Sequence, residues 1–390
     1  MSSIFLVKGV VKNYEWGGSQ FLPSLLGFPA NSSQPFAEYW MGTHPQGIAE
    51  IEDANGATSS LLDKTGPLPF LLKVLDVKDM LSIQVHPTKT AAEIEFEIEN
   101  AKGVALADPK RNYKDRNHKP ELMVALSSFW LLHGFKTDSV LGKTIETIQE
   151  FAPLLPVWEK GGTRGLYEAV MDLEQQAVDQ LLLPLLKRIT PLYEDGALTK
   201  EMPDYWAARA GKLYGKKGHA DRGIFSIYFF NLVHVNPGEA VFQDAGIPHA
   251  YLEGQNVEIM ANSDNVLRGG LTPKHVDVQA LMKHTRFEGI VPAILHPQQN
   301  NELIQWFDTP VIDFRLGLLT LKPGIAVKIS IDSPGFLLTM GETVELSTVD
   351  CTLQLKQGQI AAFWDGKSPV RLTATQPTVV YVATRGIHTR

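Results

Sequence analysis

Two imidazoles, a carboxylate and a carboxamide occur in this chain at spacings that β-strands would turn into one cluster of metal donors. In the run Leu81-Ser82-Ile83-Gln84-Val85-His86-Pro87, alternate side chains of an extended strand face opposite ways. Leu81, Ile83 and Val85 then share one face, and Ser82, Gln84 and His86 the other. Pro87 closes the strand, because it has no N–H for the ladder. In Asn117-His118-Lys119-Pro120-Glu121, Lys119 and Glu121 are again two apart, at the mouth of the apolar run LMVAL. Gly246-Ile247-Pro248-His249-Ala250-Tyr251 is a tight Gly/Pro turn that delivers His249 into the next strand. Each of these residues alone reads as ordinary core or surface. As a set, Gln84, His86, Glu121 and His249 make a borderline-hard N/O site without thiolate. Such a site suits Zn²⁺, with Mn²⁺, Fe²⁺ or Co²⁺ as other occupants.

The elements that must position these donors are mostly strands, and a closed β architecture can gather donors from three of them. Residues 1–135 read as strands and loops. PLPFLLKVLDVKDMLSIQVHP reads as two buried strands joined around Asp76 to Asp79, and ELMVALSSFWLLHGF as one more. From Lys136 to Gly218 the texture turns helical. In residues 165–189 the apolar positions Leu166, Val170, Leu173, Ala177, Leu181 and Leu185 mark one helical face, which Pro184 should end or kink. DYWAARAGKLYGKK is a further helix. Strand texture returns at GIFSIYFFNLVHVNPGEAVFQ, and from Trp306 onward short β runs alternate with turn dipeptides. The expected organisation is a metal-bearing β-barrel from residues 1–135 and 219–305, a helical insert over 136–218, and a second β domain over 306–390. The run Gln359 to Phe363 in that last domain has no His/Glu pair, which suits packing or interface duty.

The bulk numbers exclude several classes. A chain of 390 residues suits two or three domains, and 44% apolar residues can supply their cores. A formal charge of −7, with both signs mixed along the chain, argues against nucleic acid as a partner. Cys351 is the single cysteine, so neither an intrachain disulfide nor a Cys-rich zinc knuckle can form. No apolar run has the length of a signal-peptide core or a bilayer span, so the expectation is a cytoplasmic protein that does not engage a membrane.

The motifs resemble the type I phosphomannose isomerases, metal-dependent enzymes of the cupin superfamily. The matching segments are Asn13-Tyr14-Glu15-Trp16-Gly17, Tyr39-Trp40-Met41-Gly42-Thr43-His44-Pro45, Pro69 to Leu75, Ile83 to Pro87, Lys119-Pro120-Glu121, Pro248 to Tyr251 and Asn262 to Lys274. They run in family order through most of the first 280 or so residues, while the last 80 or so match loosely. Gly269 and Glu15 depart from the usual family residues, and neither is a proposed ligand. The resemblance implies a cupin-type, jelly-roll barrel with a helical domain and a C-terminal cupin-like β domain. It also implies one Zn²⁺ per chain on Gln84, His86, Glu121 and His249, with Arg268 as an active-site cation. The activity implied is interconversion of mannose 6-phosphate and fructose 6-phosphate, in a monomer whose partner is the small sugar phosphate.

That reaction moves a proton between C1 and C2 through a cis-enediol. It needs stabilisation of charge on the carbonyl oxygen, a base near the proton, and cations for the phosphate. Arg268 and Lys119 are the first candidates for the cations. Lys119 and Glu258 are alternative bases. Tyr251 and Lys274 could line the pocket. Trp16 and Trp40 could stack on a sugar, although core packing is the commoner role of tryptophan. The rival readings are an iron cupin oxygenase and a non-enzymatic, sugar-binding cupin. A carboxamide donor beside a phosphate-ready arginine argues against the first, and the full set of four donor types with Lys119 and Arg268 argues against the second.

Overall fold

The computed structural model describes residues 4–29, 34–53, 55–216, 218–298, 302–330, 334–363 and 369–386. Its spine is the strand His249–Ala261. From His249 to Glu253 this strand pairs with Phe129–Phe135, and at His249 also with Gln84. From Gly254 onward it pairs with Phe70–Val77 on one edge, and from Asn256 with Glu121–Ala125 on the other. The change of partners falls at Gly254, whose φ of +130° belongs to glycine; a Cβ there would lie 2.6 Å from Phe129 Cδ2. One strand thus serves both layers of an antiparallel barrel. Phe70–Val77 pairs onward with Glu38–His44, and Phe129–Phe135 with Phe230–Val235.

Alternation along these strands sorts apolar packing from chemistry. Phe70, Leu72 and Val74 join Leu122, Val124, Val257 and Ile259 in a core shared with Phe336 and Leu338 of the C-terminal strands. The opposite face carries Lys73, Glu121 and Glu258, all buried. A small apolar group of Leu75, Val77, Met123 and Tyr251 sits among them.

Five C-terminal strands join Ile4–Lys8, Glu50–Glu52 and Thr58–Ser60 in an eight-stranded sheet, and four more C-terminal strands form a second sheet, with Leu337, Leu346, Leu372 and Val382 in the core between them. Ile4–Lys8 pairs with Ile360–Phe363 and with Glu50–Glu52. The first strand of the chain therefore hydrogen-bonds into the C-terminal sheet, although its sequence neighbours build the barrel.

The helical segment contains Asp138–Thr147, Leu155–Asp172, Gln175–Glu194 and Pro203–Tyr214. The single helical face read over residues 165–189 is divided between two helices, because Leu173 and Glu174 take extended ψ values of 135° and 148°. Pro184 lies inside Gln175–Glu194 and does not end it. Burial of Val178, Leu182, Leu185 and Ile189 along the same helix outweighs the backbone bond that the proline forfeits. Three further elements differ from the sequence reading. Gly223–Phe229, read as strand, is a helix with all its residues buried. The run from Glu121 is two strands, Glu121–Ala125 and Phe129–Phe135. Lys89–Ala101 is a helix within the expected strand region, N-capped by the Thr88 side chain, which accepts from Ala91 N. No helix among the described residues is long and apolar enough to cross a membrane.

Candidate active site

His86, Glu121 and His249 come together with one donor atom from each within 4.8 Å of the others. His86 Nε2 lies 3.4 Å from Glu121 Oε1, and His249 Nε2 lies 3.3 Å from Glu121 Oε2. The other ring nitrogens are committed to backbone carbonyls. His86 Nδ1 is 2.9 Å from the oxygen of Asn265, and His249 Nδ1 is 2.9 Å from that of Ile247. A proton on each Nδ1, donated to these carbonyls, leaves both Nε2 lone pairs for a cation.

Whether these residues fit a metal is testable on the geometry alone. His86 Nε2 is buried with no hydrogen-bond partner among the described residues, which is costly unless something accepts its lone pair. Burial is the main cause that holds the His86 pKa down at about 4, so the ring is neutral near pH 7 and able to ligate. Burial alone would raise the Glu121 pKa, but Lys119, His86 and His249 hold it well below the ordinary carboxylate range. Gln84 pairs by its backbone with His249 on one side and Arg268 on the other. Two imidazoles and a carboxylate with donor atoms this close, with Gln84 on the strand between His249 and Arg268, fit Zn²⁺.

Next to this group is a cleft of about 710 Å³ lined by Gln84, Lys119, Arg268 and Lys274, while His86, Glu121 and His249 stand behind that lining. Lys119 Nζ is 3.0 Å from Glu121 Oε1, as their shared strand face suggested. Arg268 makes no ion pair among the described residues. Burial lowers its pKa, and its charge in turn helps burial lower that of Lys274. Lys114 also lines the cleft. Its pKa is lowered chiefly by burial, with Arg268 a minor contributor. Arg268 and Lys274 are held close with no ion pair among the described residues, which is an electrostatic invitation to an anion. Lys114 is partly offset by Glu99 and Asp108 and donates to the backbone oxygens of Leu106 and Asp108. Trp16 and Trp40 line the same cleft.

The other two expected residues stand elsewhere. Glu258 and Tyr251 are buried and do not line the cleft. Glu258 Oε1 is 2.9 Å from Lys73 Nζ, and Glu258 Oε2 accepts from the Tyr251 hydroxyl at 2.8 Å. Burial raises the Glu258 pKa, with Lys73 opposing. Burial also pushes the Tyr251 pKa well above its usual range.

Sequence reasoning gave no role to Lys73, which the structure puts in the cleft lining. Its signal was present: a lone charge inside the apolar run FLLKVLDV. Burial alone would lower its pKa, but Glu258, Glu38 and Glu121 together raise it. Asp264 was missed as well. It lines the cleft with Glu38, and it faces His44 Nε2 at 3.3 Å and Gln46 Nε2 at 2.7 Å. Nothing in the sequence brings Gln46 to a residue 218 positions away.

An antiparallel barrel with N/O donors beside a cation-lined cleft defines a metal-binding protein of the cupin type, suited to an anionic ligand. Residues 4–138 match the family model for the catalytic domain of type I phosphomannose isomerase. Mannose-6-phosphate isomerase of Escherichia coli K12 is 35% identical over 383 residues, covering 92% of this chain and 94% of that protein. The human mannose-6-phosphate isomerase is 31% identical over 424 residues and covers 96% of each chain. The structure of the Salmonella typhimurium enzyme bound to its substrate and to zinc superposes with a TM-score of 0.87 at 32% identity, over 99% of this chain and 100% of that one. This chain belongs to the mannose-6-phosphate isomerase family.

Proposed function

We propose that the protein interconverts mannose 6-phosphate and fructose 6-phosphate with one zinc per chain, by proton transfer between C1 and C2 through a cis-enediol. The observation that carries this reading is the pairing of two features in one cleft. A thiolate-free donor set of His86, Glu121 and His249 adjoins the cleft through Lys119, which lines it and lies 3.0 Å from Glu121, and Arg268, free of any ion pair among the described residues, lines it with Lys274. Zinc held by those three residues and Gln84 would supply Lewis-acid stabilisation of charge on the sugar oxygens.

The chain's own residues do the rest. Arg268, Lys114 and Lys274 hold the phosphate, which carries roughly −1.5 to −2 charge near neutral pH. Arginine suits bidentate contact with its oxygens. Lys119 lines the cleft next to Glu121, so it is the group we assign to moving the proton. Glu258 is occupied by Lys73 and Tyr251, so we assign it to holding the Lys73 ammonium in the cleft wall. We propose further that the enzyme is a monomer, and a phosphorylated hexose as substrate suits a cytoplasmic location. We propose a division into barrel (1–135 and 219–305), helical insert (136–218) and C-terminal β domain (306–390), with Ile4–Lys8, Glu50–Glu52 and Thr58–Ser60 adding to the C-terminal sheet.

The test is conversion of mannose 6-phosphate to fructose 6-phosphate by purified protein, before chelation, after it, and after zinc is restored. Activity lost with the metal and regained with zinc supports the reading. Metal-replete protein without turnover would refute it.

A further inference from the structure

Asp221 lies just ahead of the helix Gly223–Phe229 and takes no part in the donor set. Its carboxylate gathers backbone N–H groups from two separate segments. Oδ1 accepts from Gly223 N at 2.7 Å and Leu271 N at 2.8 Å, and Oδ2 from Thr272 N at 3.3 Å. The bond to Gly223 is a local turn. The other two reach 50 and 51 residues along the chain, into the loop that joins Arg268 to Lys274.

That loop does not have a relaxed backbone. Leu271 is the one non-glycine residue with positive φ among the described residues, at 52°, in a region disfavoured for a side chain of its kind. Gly270 has φ +113°, and a Cβ on it would lie 2.5 Å from Gly223 Cα. The loop therefore presses on the segment that carries Asp221. Successive N–H groups that converge in such a turn form an anion-binding concavity, which the protein fills with its own carboxylate. The same loop borders the cleft: Arg268, Leu271, Thr272, Pro273 and Lys274 all line it.

We infer that Asp221 is a positioning residue for phosphate recognition, locking the loop after Arg268 in the strained shape that sets Arg268 and Lys274 for one phosphate. The inference rests on the phosphate role given to these two cations above. A carboxylate that only terminated the helical segment would need the Gly223 bond alone. The two long-range bonds are what tie loop shape to the cleft.

The experiment uses the full zinc-loaded chain carrying D221A or D221N. Steady-state kinetics give KM and kcat for mannose 6-phosphate, and calorimetry gives the Kd for inorganic phosphate without turnover. Loss of charge-assisted bonds to the loop is expected to raise both KM and the phosphate Kd by about tenfold in D221A. kcat should change less than about twofold, and zinc content should not change. D221N keeps an acceptor for Leu271 but can turn an amide N–H toward Thr272, so its effect is expected to be smaller and in the same direction. If D221A does not fold, D221N decides. Unchanged KM and phosphate Kd in a folded variant, with only the melting temperature lowered, would overturn the inference. Wild-type protein that binds phosphate in a D221N-sensitive way yet never isomerises mannose 6-phosphate would sink the isomerase reading and leave this one standing. Normal turnover with phosphate binding indifferent to D221N would sink this one alone.

Discussion

The buried Lys73–Glu258 pair allows a stability prediction of unusual size. Lys73 Nζ is 2.9 Å from Glu258 Oε1 and 3.7 Å from Glu38 Oε2, and none of the three side chains is more than 10% exposed. At an effective dielectric of about 20, each contact is worth roughly 4–6 kcal/mol of Coulomb attraction. Desolvating each ion costs several kcal/mol, so the intact pair nets little. Lys73→Met removes the attraction and leaves the desolvation of Glu258 and Glu38 uncompensated, a loss of about 3–5 kcal/mol. Glu258→Gln is costly for the mirror reason. The double variant is expected to be less destabilised than the two singles summed, with a coupling energy of about 2–3 kcal/mol.

The sign of the pH dependence follows from the same pair. Burial already raises the Glu258 pKa, with Lys73 the largest opposing influence, and Lys73→Met lets it rise further. A carboxyl with a raised folded pKa favours the native state below its unfolded pKa of about 4.3, and that contribution is lost as pH rises through the folded value. The deficit of Lys73→Met relative to wild type should therefore shrink as pH falls from 8 toward 5. Urea unfolding of zinc-loaded protein, followed by far-UV circular dichroism across that range, measures both effects. Additive single losses, or a deficit that does not change with pH, would show that Lys73 and Glu258 do not depend on each other as their geometry says.

The remaining predictions concern the metal, the phosphate and the half-buried Lys136. His86→Ala and Glu121→Gln should each purify with far less than one zinc per chain by elemental analysis, and chelator should lower the melting temperature of wild type more than theirs. Arg268→Ala should raise KM for mannose 6-phosphate by about 10- to 100-fold, the worth of a charge-assisted phosphate contact, while weak competitive binding of unphosphorylated mannose stays unchanged. Burial pulls Lys136 down to about 8, below its unfolded value of about 10.4. Its penalty is present below the folded pKa and fades as pH rises between the two. Lys136→Met should accordingly stabilise the protein by about 1–2 kcal/mol at pH 6 and by almost nothing above pH 10, read from urea midpoints.

What was legible in the sequence was whatever strand periodicity could carry. Gln84 and His86, and Lys119 and Glu121, are two residues apart, and period-two alternation puts each pair on one face without any knowledge of the fold. Gly223–Phe229 was misread because all its residues are buried, so no amphipathic period separates helix from strand. The pairing of Ile4–Lys8 with Ile360–Phe363 leaves no local trace at either end. The same limit explains Glu258. His249 and Tyr251 precede it by nine and seven residues, odd separations that a regular strand would place on opposite faces, yet the Tyr251 hydroxyl bonds Glu258 at 2.8 Å. Parity is reset between them. The strand changes partners at Gly254, the facing strand carries a register shift between Trp130 and Leu131, and φ at Gly254 is +130°. The extra residue Leu252 and the turn at Gly254 together turn the second half of the strand over, so that Glu258 points into the same interior as His249. Side-chain period alone would have sent it outward, whereas this break in the strand sets Glu258 opposite Lys73.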